Sequence, residues 1–357
     1  MFDEIAAPKK QSVWKRIGAA LSLKKFRERG GVRAIIVIIV LFVFFFLFGL
    51  SYYWGQEPEA FDVVDRAKER IGASSEQQIV RGYITTATLI EVANTLLNKP
   101  GGYLSNDVTP PTVFMDNIPN WEFGALVQIR DFSKALRNDI SRAQTQSEEN
   151  EHLRKAEPQF NVDSESWIFP SSENEYRKGV VALEKYLDGL TDPNNTTTQF
   201  FSRADNLRDW LKIVGNRLGS LSQRLSASVG QQRINTNLAG DADARQSTSE
   251  PVSVRVKTPW LEIDDVFYES RGTCWALIQF LRAVEVDFQE VLEKKNAVRS
   301  LQQIIRELEA TQRTIWSPII LNGSDFGFFS NHSLVMSSYI SRANAGIIDL
   351  RNLLADG

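Results

Sequence analysis

ADNLRDWLKIVGNRLGSLSQRL, residues 204–225, places Ala204, Leu207, Leu211, Val214, Leu218, Leu221 and Leu225 at spacings that alternate between three and four. Apolar residues repeating every 3.5 positions form one seam along a helix, and such a seam is buried only against another helix. The same spacing returns at Met336, Ile340, Ala343, Ile347, Leu350 and Leu354, and at Leu277, Leu281, Val284, Phe288 and Val291. Three seams in one chain predict a mainly α fold, a helical bundle with long irregular loops.

The third seam slips. After Val291 its next position is Lys295, and the pattern resumes out of phase at Val298, Leu301, Ile305 and Leu308. A three-residue slip overwinds a continuous helix or separates two, so a bend is expected there.

End signals agree with helices. Thr258-Pro259 reads as an N-cap and first-turn pair, with Glu262, Asp264 and Asp265 then near the positive end of the dipole. Ser172 with Glu175, and Ser74 with Gln77 ahead of Ile79 to Leu97, have capping-box spacing. Lys99-Pro100-Gly101-Gly102 stops the helix that precedes it. Two polar stretches, Ser147 to Ser166 and Gly230 to Lys257, read as connections. The second is long enough for a flexible crossover, or for a joint at 231–257 between helical subdomains 55–230 and 258–357.

Upstream of the bundle, Ala34 to Leu50 reads AIIVIIVLFVFFFLFGL and is followed by Ser51, Tyr52, Tyr53 and Trp54. About 20 helical residues cross a ~30 Å hydrocarbon core, so residues 34–54 predict a transmembrane helix with Arg33, Tyr52, Tyr53 and Trp54 at its interfaces. A cleavable signal would have a shorter apolar core and a small-x-small cleavage site, so retention as an anchor is expected. Basic residues dominate residues 1–33, from Lys9 to Arg33, against Asp3, Glu4 and Glu28. That bias predicts a cytoplasmic tail over 1–33 and an exported domain over 55–357.

Residues 1–54 carry 9 basic and 3 acidic groups, which leaves the rest of this −3 chain markedly acidic. Nucleic acid is therefore not an expected partner; the bilayer and envelope proteins are. Cys274 is the single cysteine, so no intramolecular disulfide can form, and its apolar helical context predicts a buried inert thiol. With His152 and His332 as the only histidines, no zinc-type spacing occurs, and no cofactor or metal site is expected.

Candidate sites are few. Glu262, Asp264, Asp265 and Glu269 form an acidic cluster that could hold a hard cation or act in acid–base chemistry, although compensation of a helix dipole accounts for most of it. Pro110 to Gly124, with Met115, Trp121 and Phe123, is either a rigid recognition lip or an aromatic plug behind an Asn120 N-cap. Trp316 to His332, with Phe326, Phe328 and Phe329, reads as a buried cap or a surface that meets lipid or a partner. Its Gly323-Ser324-Asp325-Phe326-Gly327 does not satisfy G-x-S-x-G, so a Ser324/His332 triad is not expected.

MDNIPNWEFGALVQIRDF (Met115 to Phe132), KTPWLEIDDVFYESRGT (Lys257 to Thr273) and the run from Trp316 to Arg351 resemble a family of uncharacterised Gram-negative bacterial proteins, classed as a domain of unknown function. The resemblance spans nearly the whole chain. It implies a bacterial inner-membrane location with a periplasmic domain and brings no activity, cofactor or site residue. The expectation is a membrane-anchored, non-catalytic interaction or scaffold protein. An envelope enzyme acting on wall or lipid substrates through carboxylates, and a ligand or lipid sensor, are the alternatives.

Overall fold

The computed structural model describes residues 23–71, 79–143, 148–234, 253–317, 319–324 and 328–356. Among them lie eleven α-helices and one two-stranded ladder, and the chain divides into two units, 1–53 and 54–357. The described residues of the first unit belong to one helix. Helix α1, Leu23–Trp54, contains a segment, Arg33–Trp54, long and apolar enough to cross a membrane, and no residue of its apolar run is buried within the protein. Tyr52 and Tyr53 are exposed near its C-terminal end.

Unit 54–357 is built from α2 (Val63–Ile71), α3 (Tyr83–Asn98), α4 (Asn117–Ala135), α5 (Glu151–Phe160), α6 (Ser172–Thr191) and α7 (Ala204–Ser226). It continues with α8 (Ile263–Asp287), α9 (Gln289–Lys294), α10 (Val298–Ala310) and α11 (His332–Ala355). The seam of α7 faces that of α11, and all but half-buried Ala204 of its apolar positions are buried. Helix α8 is central: from Cys274 to Val284 only Arg282 escapes burial, because its run TCWALIQFLRAV is apolar on nearly every face. Helices from either side of residues 231–257 share this core, so 55–230 and 258–357 do not form separate cores.

Helices α4 and α8 touch backbone to backbone. A Cβ on Gly124 would stand 2.0 Å from the Glu269 carbonyl oxygen, and one on Gly272 would stand 1.9 Å from that of Trp121. Glycine at both positions is what lets the two axes come this close. Above the contact, Trp121 meets Trp275 at 5.1 Å between ring centroids and Phe132 stacks on Phe280 at 4.8 Å.

Several boundaries differ from expectation. The phase slip is a real break, with Lys295 to Ala297 separating α9 from α10 and Asn296 at φ 51°. Residues 151–160, read as polar connection, are helix: Asn150 caps the His152 and Leu153 amides, while Leu153, Ala156 and Phe160 bury one face. Thr258 does not cap α8, which starts at Ile263; its amide donates to the Ala227 carbonyl and its hydroxyl to that of Arg224. Ser172 forms no capping box either, because its hydroxyl donates to the carbonyls of Asp163 and Ser166. The segment read as a flexible crossover contains a ladder, β1 (Gln231–Ile234) antiparallel to β2 (Ser253–Val256). The Ser74–Gln77 box lies outside the described residues.

The bundle has two chemically different ends. At one, Trp54 packs against Gly101 and the core, and the loop after α3 is bonded to the start of α4. At the opposite end Asp287, the last residue of α8, accepts the Gly82 and Thr85 amides at 3.0 and 2.7 Å and so caps α3 from outside. Lys295 there donates to the Asp356 carbonyl after α11. Burial holds the Asp287 carboxyl above its usual range, against the pull of these donors.

Candidate functional site: the loop end beside Trp54

Contacts can be followed from Trp54 through the whole of this end. Leu104, beside Trp54 and Gly101, donates its amide to Glu122 on α4. Asn120, one turn into α4, donates to Asp265 at 2.7 Å and brings in the start of α8. On α8, Glu269 pairs with Arg224 at the end of α7, and Phe267 lies 6.5 Å from the His332 ring at the start of α11. Arg271 is the hub. It pairs with Glu57 at 2.6 Å and donates to the carbonyls of Thr311 and Arg313 just beyond α10.

The loop between α5 and α6 joins the same end. Tyr103 donates to the Ser164 carbonyl, Asn106 to that of Ser166 and to Glu173, and Arg177 to Asn98. One buried ion pair fastens the group: Lys99 Nζ stands 2.6 Å from Glu122 Oε1, both side chains essentially without solvent. Glu122 also accepts the amides of Leu104 and Ser105 and the Ser105 hydroxyl. Burial pushes the Glu122 carboxyl upward, and the Lys99 ammonium and these donors oppose it.

Loops tied this firmly carry exposed apolar tips. Phe114 is 82% exposed, Phe169 93%, Trp260 78%, Trp316 93% and Phe328 97%. Val108, Val113, Trp167, Ile168, Leu261, Ile319 and Phe329 are exposed beside them. Among the described residues, the large apolar side chains exposed toward the opposite end are fewer and less open: Val80 at 37%, Val286 at 39% and, in the second half of α11, Ile348 at 46%. Isolated apolar side chains on a surface need no explanation, whereas this segregation to one end does.

Two clefts open among these loops. One, of about 660 Å³, lies between Trp167 to Ser171 and the first turns of α6, with Arg177 and Lys178 on its wall. The other, of about 320 Å³, is walled by Phe267, Ile315, Trp316, Met336 and Tyr339, with Arg313 over the Tyr339 ring.

The residues singled out by sequence fall into three groups. Trp121 is fully buried and Met115 half-buried against the core, so the Pro110 to Gly124 segment is a plug there, and Trp121 is corrected from a contact residue to a core residue. Asn120 is not the N-cap of α4, which begins at Asn117 after Asp116. Phe123 is partly exposed; Phe328 and Phe329 are exposed at a loop tip, which corrects the buried-cap reading for them, and Phe326 lies outside the described residues. Trp54, expected at a bilayer interface, is half-buried on Gly101.

The acidic cluster is spread over separate partners. Glu269 is ion-paired to Arg224, Asp265 accepts from Asn120, and Glu262 is exposed. Burial, then the neighbouring carboxylates Asp264 and Asp116, raise the Asp265 carboxyl. None of the four lines either cleft, and among the described residues no group of His, Cys, Asp and Glu is arranged to hold a metal ion. His332 Nδ1 accepts the Leu321 amide at 3.2 Å, which fixes a loop; Asp325 lies outside the described residues.

Sequence reading passed over Trp167 to Pro170 and Trp260 as contact residues, while Trp316 opens the segment read as a cap or a contact surface. A detectable signal existed: WIFP at 167–170 is an apolar cluster with no helical continuation. The ion pairs Lys99–Glu122 and Arg271–Glu57 bridge distant positions and leave no such mark.

Cys274 is fully buried, and burial pushes its thiol up to about 12. Native protein at pH 8 is therefore expected to leave an aromatic disulfide reagent unreacted for hours and to release one equivalent of chromophore when denatured. Rapid reaction of the native chain would show that α8 is not enclosed.

The chain thus falls in the class of α-helical bundle proteins with one N-terminal helix long and apolar enough to span a membrane. Residues 27–357 match the family described as an uncharacterized protein conserved in bacteria (DUF2333), and the chain belongs to that family. No curated protein and no solved structure matches it.

Proposed function

We propose that this is a bacterial envelope protein, anchored in the inner membrane by α1, whose periplasmic bundle acts by binding other envelope components without catalysis. The observation that carries the reading is the concentration of exposed aromatic tips on well-fastened loops at the Trp54 end. Rigid loops lose little entropy on contact, and aromatic residues are favoured anchors of contact surfaces. The basic residues before Arg33 support a cytoplasmic N-terminus, and tethering to the bilayer raises the local concentration of the bundle toward other membrane-bound components.

Protease treatment of spheroplasts tests the anchor and its orientation. Expected is a membrane fraction that retains the full chain through alkaline extraction and loses the bundle when protease is added outside. A mature polypeptide trimmed after Trp54 and freely soluble, or a bundle protected until the inner membrane is lysed, would overturn the reading.

A further inference from the structure

We infer that the aromatic loops at the Trp54 end lie in the lipid–water boundary of the bilayer that α1 crosses, so that the envelope component they bind is the lipid surface itself. The inference rests on the anchored reading above and adds to it the identity of the contact.

Connectivity supplies the first argument. Trp54 is the last residue of α1 and packs on Gly101, whose neighbour Leu104 is bonded to α4. Tyr103 and Asn106 then hold the loop bearing Trp167 and Phe169, so these tips are a few side chains from the point where the apolar helix ends. A bilayer crossed by α1 is therefore the nearest apolar phase to this end of the bundle.

Residue type supplies the second. The largest tips are Trp and Phe, with Val, Ile and Leu beside them. Trp settles at the headgroup level, and the purely apolar side chains insert at the headgroup/acyl boundary. These tips come from separate connections: 108–114, 167–169, 260–261, and 316–319 with 328–329. Scattered single tips suit a fluid surface that closes around each of them. A protein partner would be met by a contiguous patch with a packed centre.

Charge decides the mode. Near the tips Arg177, Lys178, Lys257 and Arg313 are interleaved with Asp107, Asp116, Glu165, Glu262 and Asp264. Such a mixture gives no net attraction to anionic headgroups, so contact is made by insertion of apolar side chains.

The test uses the full chain in liposomes of phosphatidylcholine, with and without phosphatidylglycerol. Since Cys274 is enclosed, single added cysteines, Phe169→Cys, Phe328→Cys, Asn194→Cys and Phe42→Cys, can each carry an environment-sensitive fluorophore. Shallow spin-labelled lipid should quench the labels at 169 and 328 at least about threefold more than the label at 194, which is exposed at the opposite end, with little dependence on anionic lipid or salt.

Quenching at 42 by deep spin labels, with 169 and 328 open to aqueous iodide, overturns the lipid contact and leaves the anchor standing. Protection of 169 and 328 by a second copy or another protein, without lipid quenching, overturns it as well. A label at 42 that no lipid quenches refutes the anchored reading itself.

Discussion

Gly272→Val is expected to destabilise the bundle by about 3 kcal/mol or more, because an added side chain there has nowhere to go. Its Cβ would lie 1.9 Å from the Trp121 carbonyl oxygen and 2.7 Å from the carbonyl carbon. Backbone cannot rotate aside as a side chain can, so α4 and α8 must separate, and separation opens the Trp121–Trp275 and Phe132–Phe280 contacts. Gly124→Val should behave alike, since its Cβ would stand 2.0 Å from the Glu269 carbonyl oxygen. Gly215→Ala is the contrasting case: its Cβ meets nothing closer than 3.4 Å, and replacing glycine inside α7 should gain roughly 0.5–1 kcal/mol of helix propensity. Circular dichroism during urea unfolding of the detergent-solubilised chain distinguishes the two. Equal stability of Gly272→Val and the parent would mean that the helices do not meet at these glycines.

Lys99→Met and Glu122→Gln are each expected to cost about 3–5 kcal/mol, and the double substitution less than either alone. Removing one partner leaves an ion buried without its counterion, as both side chains are sealed from water. Glutamine with its carbonyl oxygen in the Oε2 position still accepts the Leu104 and Ser105 amides, so in the double variant no charge is stranded and the cost that remains is a buried carboxamide N–H facing the methionine. Because this pair holds the loop on which Trp54 rests, single variants should also become cleavable by protease around residues 101–110 before global unfolding. Strictly additive losses in the double-mutant cycle would show that the two groups do not act as a pair.

Much of the fold is legible in local pattern. The seams of α7, α8 and α11 are visible because a buried helical stripe requires apolar residues at three- and four-residue spacing, and the break near Lys295 because the repeat loses phase. Helix α5 is less legible: its apolar stripe is short, Leu153, Ala156 and Phe160, and glutamates surround it. Cap assignments at Thr258, Ser172 and Asn120 fail for a common reason. Each side chain could serve a helix end locally, and each is instead bonded to a remote segment, Arg224, Asp163 or Asp265.

The candidate surface was half legible. Phe328 and Phe329 stand out as aromatics in a glycine-bearing loop, whereas Trp121, in an equally suggestive segment, is enclosed by Trp275 on another helix. From residue types alone the two cases are alike, because exposure is a property of what packs on top.

By itself the sequence determined that the chain is helical, that one helix is apolar enough to cross a membrane, and that its thiol sits in apolar surroundings. These properties follow from composition and periodicity within single segments, where the chain's own geometry sets which residues share a face. Tertiary structure alone decided that loops from four distant stretches meet at the Trp54 end, that Lys99 finds Glu122, and that two glycines let α4 and α8 touch. Such facts depend on contacts between residues far apart in the chain, and those exist only once the helices have packed.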